Sequence, residues 1–544
     1  MEQQFDYVVV GGGSAGCVVA ARLSEDPTVR VLLLEAGPEP RTPWIRLPAG
    51  VSRLMFPGTY NWGYSTEPEP HVNGRRIYAP RGRTLGGSSA INGMAYVRGH
   101  PEDYDVWAQL GNRGWNWDCV LPFFKKSEHF EGEGSSLHGR DGELWVSSPN
   151  VRHPASRDFV EAGVQLGLRR TEDLNDEQQE GISFLHFTIR NGQRHSTSDA
   201  FLSKARQRRN LKVETDAHAH KVLVTEGRAS AVVYQQGGES HVAAARREIV
   251  LCGGTLNSPK LLMLSGIGPA AHLAEHGIGV VVNLPGVGQN LQDHLYTNLT
   301  FRVTPGSSVN EELQGVRKFA HGLQYMLQRR GLLTMGTSQA GAFVRAMPGA
   351  NRPDVQIMFR PMSWEFDPQG VLQIGRSPAI TVSHCPLRPH SRGVVALRSA
   401  KFDDPPRIFA NYLDALYDRQ ATVAGVRFIR RILATEPLAT RVVAESVPGP
   451  EAESDEEIID FAQRMAQSMH HWVGTCRMGR DGLAVVDEEL RVHGLTGLRV
   501  VDASIMPNIP SGNTNAPTIM VAEKGAEMIK LAARRGAAPA ALVA

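Results

Sequence analysis

Two short segments near the C-terminal end hold the residue types of a proton-transfer site. His470-His471-Trp472-Val473-Gly474-Thr475 places a histidine ahead of a Gly-Thr turn, and Gly512-Asn513-Thr514-Asn515-Ala516-Pro517 places an asparagine ahead of a Pro-led helix. A neutral imidazole near working pH takes a hydroxyl proton. A side-chain amide donates to a developing alkoxide. At the opposite end of the chain, Gly11, Gly13 and Gly16 of Gly11-Gly12-Gly13-Ser14-Ala15-Gly16 satisfy the G-x-G-x-x-G spacing. Such glycines allow a tight turn and close approach of backbone to a pyrophosphate, which then faces a helix N-terminus. Glu35 lies 19 residues past the last glycine (35 − 16), where its carboxylate can accept from ribose hydroxyls, and Ala36 adjoins it.

The elements needed to hold these groups are legible around them. Tyr7 to Val10 reads as a strand, Cys17 to Leu23 as a helix and Val29 to Leu34 as a second strand, one βαβ unit. From Pro38 to Arg83 the chain is rich in Pro, Gly, Arg and aromatics, which suits a long connection over a ligand. Residues 211–251 read as strands, with Val222 expected on the cofactor side. Residues 300–450 alternate in polarity, as in Val355 to Phe359, and read as a separate sheet. Ser454 and Glu457 form a capping box before a helix over 455–468. Leu498 to Val501 reads as a strand that ends at Asp502 and Ala503, and Pro517 fits the first position of a closing helix. The expected architecture is an α/β, Rossmann-like nucleotide-binding domain from residues 1–150, 195–300 and 455–544. It is interleaved with an α+β substrate domain on an antiparallel sheet from 151–194 and 301–454.

At 544 residues the chain needs two or three structural units. Its net charge of +2 selects no partner class. The densest basic cluster, Arg206-Gln207-Arg208-Arg209, reads as a solvated helix end. No basic stripe with interleaved aromatics is present, so no nucleic acid is expected. Five cysteines without metal or redox spacing imply reduced thiols. Cys476 reads as a small packed residue. His218, His220, His384 and His390 lack ligand spacing, so no metal is expected. There is no signal-peptide pattern and no apolar run of ~18 residues. The expectation is a cytoplasmic protein without a transmembrane segment, peripheral contact with the inner membrane face being left open. The small apolar tail from Gly536 is expected to fray.

A second loop, Gly82-Arg83-Thr84-Leu85-Gly86-Gly87-Ser88-Ser89-Ala90-Ile91-Asn92-Gly93, exposes backbone N–H groups to a diphosphate or a flavin edge. With only one dinucleotide fingerprint, and with Asp502 at a second strand end, the pattern favours FAD over NAD. The chain resembles the glucose-methanol-choline (GMC) oxidoreductases over nearly its whole length, close to bacterial alcohol and choline dehydrogenases. The resemblance is carried by Gly82 to Asn92, by Gly254 to Gly268, by Val287 to His294 and by the His471 segment. It implies FAD, a substrate-domain sheet beside the flavin, and alcohols as substrates.

In that family His471 matches the catalytic base and Asn515, 44 residues later (515 − 471), matches its partner. The implied reaction oxidises a primary alcohol to the aldehyde, with proton abstraction by the base and hydride transfer to flavin N5. Besides the two glycine loops, Ser14, Ala15, Arg83, Ser88, Asn92, Gly93, Val222, Asp502, Ala503, Asn515 and Pro517 are expected around the cofactor. His470, Trp472 and Gln339 are expected at the substrate pocket. Relatives that bind FAD covalently carry a histidine where this chain has Ile91, which implies non-covalent FAD. Choline dehydrogenases carry a glutamate where this chain reads Gln339-Ala340-Gly341, which implies an uncharged alcohol rather than choline. Choline dehydrogenation and hydroxynitrile lysis on the same fold are the alternatives. The electron acceptor is oxygen, a quinone or a redox protein, and the sequence does not give the oligomeric state.

Overall fold

The first eight-residue strand, Gln3–Val10, becomes central because Val8 and Val9 point to opposite faces and both are fully buried. It pairs in parallel with Val31–Leu34 on one side and Glu239–Leu251 on the other. Leu211–Glu214 and Leu498–Val500 extend the parallel core, and the antiparallel strands His218–Thr225 and Arg228–Gln236 complete a seven-stranded sheet. The computed structural model describes residues 3–133, 135–366 and 372–537. The helix Ser14–Leu23 lies against the closing helix Asn515–Ala537. Arg22 joins them, pairing with the fully buried Glu523 and with Glu143 at 2.7 Å each. The two ends of the chain are thereby fixed to each other.

A second, antiparallel sheet runs in the order Val442–Val447, Leu295–Val303, Ala379–Pro386, Val355–Arg360, Ala340–Val344, Gly181–Phe184. Its sides differ because strand side chains alternate. Leu299, Phe301, Ile357, Phe359, Ile380 and Val382 form one face, covered by the helices Pro154–Gln165 and Leu416–Leu433 through Phe159, Val426 and Ile429. Tyr296, Asn298, Thr300, Met358 and Arg360 lie on the other face, toward a cavity. This polar face explains why the stretch reads as mixed in composition.

Three boundaries differ from the sequence reading. The strand starting at Leu295 already belongs to the antiparallel sheet, crossing the expected boundary at 300. The capping box forms, Ser454 Oγ accepting from the Glu457 N–H at 3.2 Å, but the helix ends at Met465 because Gln467 and Ser468 pair with Leu295–Val303. The closing helix starts at Asn515, so Pro517 is its third residue rather than its first. Of the tail expected to fray, residues 538–544 lie outside the described residues. No helix among those described is long and apolar enough to cross a membrane.

Candidate active site

The C-terminal edge of the parallel strands and the polar face of the antiparallel sheet enclose a cavity of about 1320 Å³. Ligands of open α/β sheets bind at this strand edge. Gly11 has φ +103°, and a Cβ there would meet Cys252 O at 2.5 Å, so only glycine makes the turn. Glu35 Oε2 accepts from the Gly12 N–H and Oε1 from the Gly37 N–H, both at 2.8 Å. Burial raises the Glu35 carboxyl to about 7. Gly13, Ser14, Ala15, Ala36, Gly87, Ser88, Asn92, Gly93 and Ala503 line the same cavity. Asp502 also lines it and organises the start of the helix Gly254–Leu264, accepting from the Gly254 N–H at 2.9 Å and Ser258 Oγ at 2.6 Å.

Five residues expected around the cofactor do not line the cavity. A Cβ on Gly16 would meet Gly11 O at 1.8 Å, so this glycine lets helix and loop touch. Gly86 donates its N–H to Gly12 O at 2.8 Å and ties the two glycine loops together. The Arg83 guanidinium sits over the Trp62 ring, 5.0 Å from its centroid. Val222 is turned into the core, its N–H donating to Ser265 Oγ at 2.8 Å, because its strand has left the cavity after Ala219. Pro517 gives way to its neighbours Thr514, Asn515 and Thr518. The glycine-lined crease, one carboxylate at a strand end and a helix N-terminus in one elongated cavity fit a flavin dinucleotide.

At the reacting end, hydrogen bonds assign the tautomer of His471. His294 Nε2 lies 2.8 Å from Leu387 O and must donate to it. Neutral His294 therefore offers only a lone pair at Nδ1, which is 2.9 Å from His471 Nδ1. His471 must donate there, leaving its Nε2 unprotonated. Asn513 Nδ2 donates to that nitrogen at 3.0 Å, and Gln356 Nε2 donates to Asn513 Oδ1 at 3.4 Å, which fixes the amide's orientation. Asp293 Oδ1 accepts from the His471 backbone N–H at 2.7 Å. Burial first, then the neighbouring His294, His470 and Arg81, hold the His471 imidazole well below its usual pKa. His471 is thus neutral, with one unprotonated ring nitrogen that accepts from Asn513.

The partner of that nitrogen is Asn513 and not the expected Asn515. Asn515 Oδ1 accepts from Ser14 Oγ at 2.8 Å, so it joins the closing helix to the dinucleotide loop. Both amides precede the same proline, and sequence spacing does not separate them. Gln339 is fully buried away from the cavity, its Oε1 accepting from the His153 N–H at 3.1 Å and Ser156 Oγ at 2.7 Å at the start of a helix. His470 and Trp472 do line the cavity, although the Trp472 ring packs toward Tyr412. Cys476 is buried and free. Sequence reasoning missed His294, Asn513 and Arg360. The Asp293-His294 pair at the end of one family motif was the available signal for the first.

The four histidines weighed as metal ligands are held apart. His218 and His220 flank Phe402, His384 bonds Thr297 and His390 stacks on Tyr417. A group the sequence reading did not weigh, His272, Glu275 and His276, brings its ligand atoms within 4.8 Å of one another near the surface. His272 Nε2 there already accepts from the Leu397 N–H.

Comparison with known proteins agrees with this geometry. Profiles of the GMC oxidoreductases match residues 5–296 and 389–522. The chain is 44% identical over 529 residues to an alcohol dehydrogenase (acceptor) of Pseudomonas putida, covering 96% of this chain and 95% of that one. It is also 44% identical over 540 residues to the mitochondrial choline dehydrogenase of Homo sapiens, covering 97% and 90%. Pyridoxine 4-oxidase from Mesorbium loti superposes with a TM-score of 0.86 at 35% identity, covering 96% and 98%. A variant of Aspergillus oryzae formate oxidase gives 0.92 at 29%, covering 98% and 99%. The chain belongs to the GMC oxidoreductases, and it is an FAD-dependent oxidoreductase of the CH–OH class.

Proposed function

We propose that this flavoenzyme oxidises an uncharged or anionic primary alcohol to its aldehyde, with His471 as the base. The observation that carries the reading is the unprotonated Nε2 of His471, assigned by the His294 contact and accepting from Asn513. The substrate hydroxyl displaces the Asn513 N–H from His471 Nε2 and gives its proton to that nitrogen. Asn513 has a second N–H to donate to the oxygen as negative charge develops there. His294 Nδ1 accepts from the imidazolium that results. FAD, when bound, accepts the carbon-bound hydrogen with its electron pair, so the alcohol loses two electrons and two hydrogens in all. Ile91 lines the cavity and offers no nucleophile, which supports non-covalent attachment.

Choline is disfavoured on a new ground. Gln339 does not face the cavity, so the argument from that position falls. Among the described residues, Glu35 and Asp502 are the only carboxylates lining the cavity, and both accept from backbone N–H groups near the glycine loops. A buried quaternary ammonium without a counter-charge loses several kcal/mol of hydration. The test is anaerobic bleaching of the flavin by benzyl alcohol, a medium-chain alkanol and choline, followed by oxygen or a quinone as acceptor. The neutral alcohols should give the larger kcat/KM. Choline reducing the flavin best would contradict the assignment, and a flavin that no alcohol bleaches would favour the lyase alternative.

A further inference from the structure

The strand Val355–Arg360 runs away from the reacting end. Gln356 touches Asn513, Met358 lines the cavity two residues on, and Arg360 lines it two residues further. Four residues along a strand span about 13 Å. The Arg360 guanidinium donates from Nε to Ser338 Oγ at 3.2 Å and from Nη1 to Asn298 Oδ1 at 3.0 Å. Both partners are neutral. Tyr296 stands beside it with its ring centroid 5.9 Å away. No carboxylate among the described residues pairs with Arg360, whereas Arg22, Arg98 and Arg499 each have one. A guanidinium carries five N–H donors in a fork that matches a carboxylate, and here three are unspent. Burial lowers its pKa, as expected for a cation without a counter-charge. We propose that the substrate carries a carboxylate ~10 Å from its hydroxyl-bearing carbon, and that Arg360 binds it. The chemical class is an ω-hydroxy acid or a hydroxymethyl aryl acid.

This rests on the alcohol reading, and the test separates the two. Anaerobic flavin reduction is measured with matched pairs, 8-hydroxyoctanoate against 1-octanol and 4'-(hydroxymethyl)biphenyl-4-carboxylate against 4-biphenylmethanol. The acids should exceed the neutral partners in kcat/KM by at least about tenfold, through KM. Arg360→Met should bring the ratio to about one, and Arg360→Lys should restore part of it. Octanoate should compete with 1-octanol in the native enzyme and fail to in Arg360→Met. Neutral partners reacting better in the native enzyme, or a ratio unmoved by Arg360→Met, would overturn the carboxylate site and leave the alcohol reading intact. A flavin reduced by neither kind would overturn both.

A separate observation concerns the helix Arg317–Gln328. Its one buried residue, Tyr325, faces the body of the protein. Val316, Phe319, Leu323, Met326 and Leu327 are 83, 70, 53, 67 and 74% exposed. At about 100° per residue they form one stripe centred opposite Tyr325. The usual orientation is therefore reversed, with the apolar face outward. Arg317 and Lys318 stand at one end of the stripe and Arg330 at the other, Arg329 folds over the Tyr325 ring, and no acid occurs from 317 to 330. The turn Leu332–Thr334 that follows packs on Pro48–Gly50, next to Val51, Met55 and Phe56, which line the cavity. An apolar stripe edged by cations is complementary to an anionic lipid surface. The geometry points to this helix as a bilayer-docking element. Holoenzyme should sediment with vesicles of phosphatidylcholine and phosphatidylglycerol more than with phosphatidylcholine alone. Phe319→Glu/Leu323→Glu/Leu327→Glu should cut binding at least about tenfold while keeping the flavin. Absence of vesicle binding would overturn the inference, as would self-association in sedimentation velocity that the triple variant abolishes, which would assign the stripe to a second copy.

Discussion

At the scale of single residues, the proposed function turns on which nitrogen of His471 is unprotonated and which amide faces it. The chain places two asparagines two positions apart, and the structure gives them different work. Asn513 contacts the base, whereas Asn515 contacts Ser14 on the dinucleotide loop. Asn513→Ala should slow flavin reduction ~10²–10³-fold, the scale of one lost oxyanion donor, with FAD retained. Asn515→Ala should instead weaken FAD by roughly 0.5–1.5 kcal/mol, the scale of one hydrogen bond, and leave reduction of the bound flavin within a few-fold of native. Stopped-flow reduction and FAD titration of the apoprotein check the pair, and the reverse pattern would return the role to Asn515. His471 was singled out because it matches the base position of the family that the chain resembles. His294 and Asn513 were not, because their roles depend on contacts across 177 and 42 residues of chain.

At the scale of elements, periodicity conveyed the sheet but not its faces. Val355 to Phe359 read as a strand, yet only the packed structure shows that its odd positions meet helices, that Gln356 meets Asn513, and that Met358 and Arg360 meet the cavity. Gln339 precedes a cavity-lining sheet and turns to the helices instead, a choice made by His153 and Ser156 far away in sequence. The glycine turn was legible from its spacing, although Gly16 and Gly86 hold backbone to backbone rather than line the cavity. It also yields a sharp expectation. A methyl group on Gly16 would overlap Gly11 O, with no flexible side chain to move aside. Gly16→Ala should lose ~3 kcal/mol or more of stability, the upper range for overpacking, and most of its bound flavin. Thermal unfolding with flavin release as the readout checks this, and an unchanged midpoint would show that helix and loop can separate without cost.

For the whole molecule, the interior holds many imidazoles that burial keeps neutral. His153, His195, His218 and His294 are pushed down to about 4, His384 and His470 to about 3, and His471 well below its usual value. In the unfolded chain these groups take up protons below about pH 6.5, and in the folded chain they do not. Their contribution to stability is therefore present above pH 6.5 and lost as pH falls toward 4. Glu35, raised to about 7, and Asp293, raised to about 6, act in the opposite sense, but they are fewer. The thermal midpoint of the holoenzyme should fall steadily from pH 6.5 to 4.5, and a flat midpoint there would contradict the buried neutral state. In the proposed mechanism that neutrality is also what lets His471 take the substrate proton. The most direct test of the account is anaerobic stopped-flow reduction of the flavin in native enzyme and in His471→Ala. The account predicts a ~10²–10⁴-fold slower reduction in the variant at equal FAD content, whereas reduction at the native rate would contradict it.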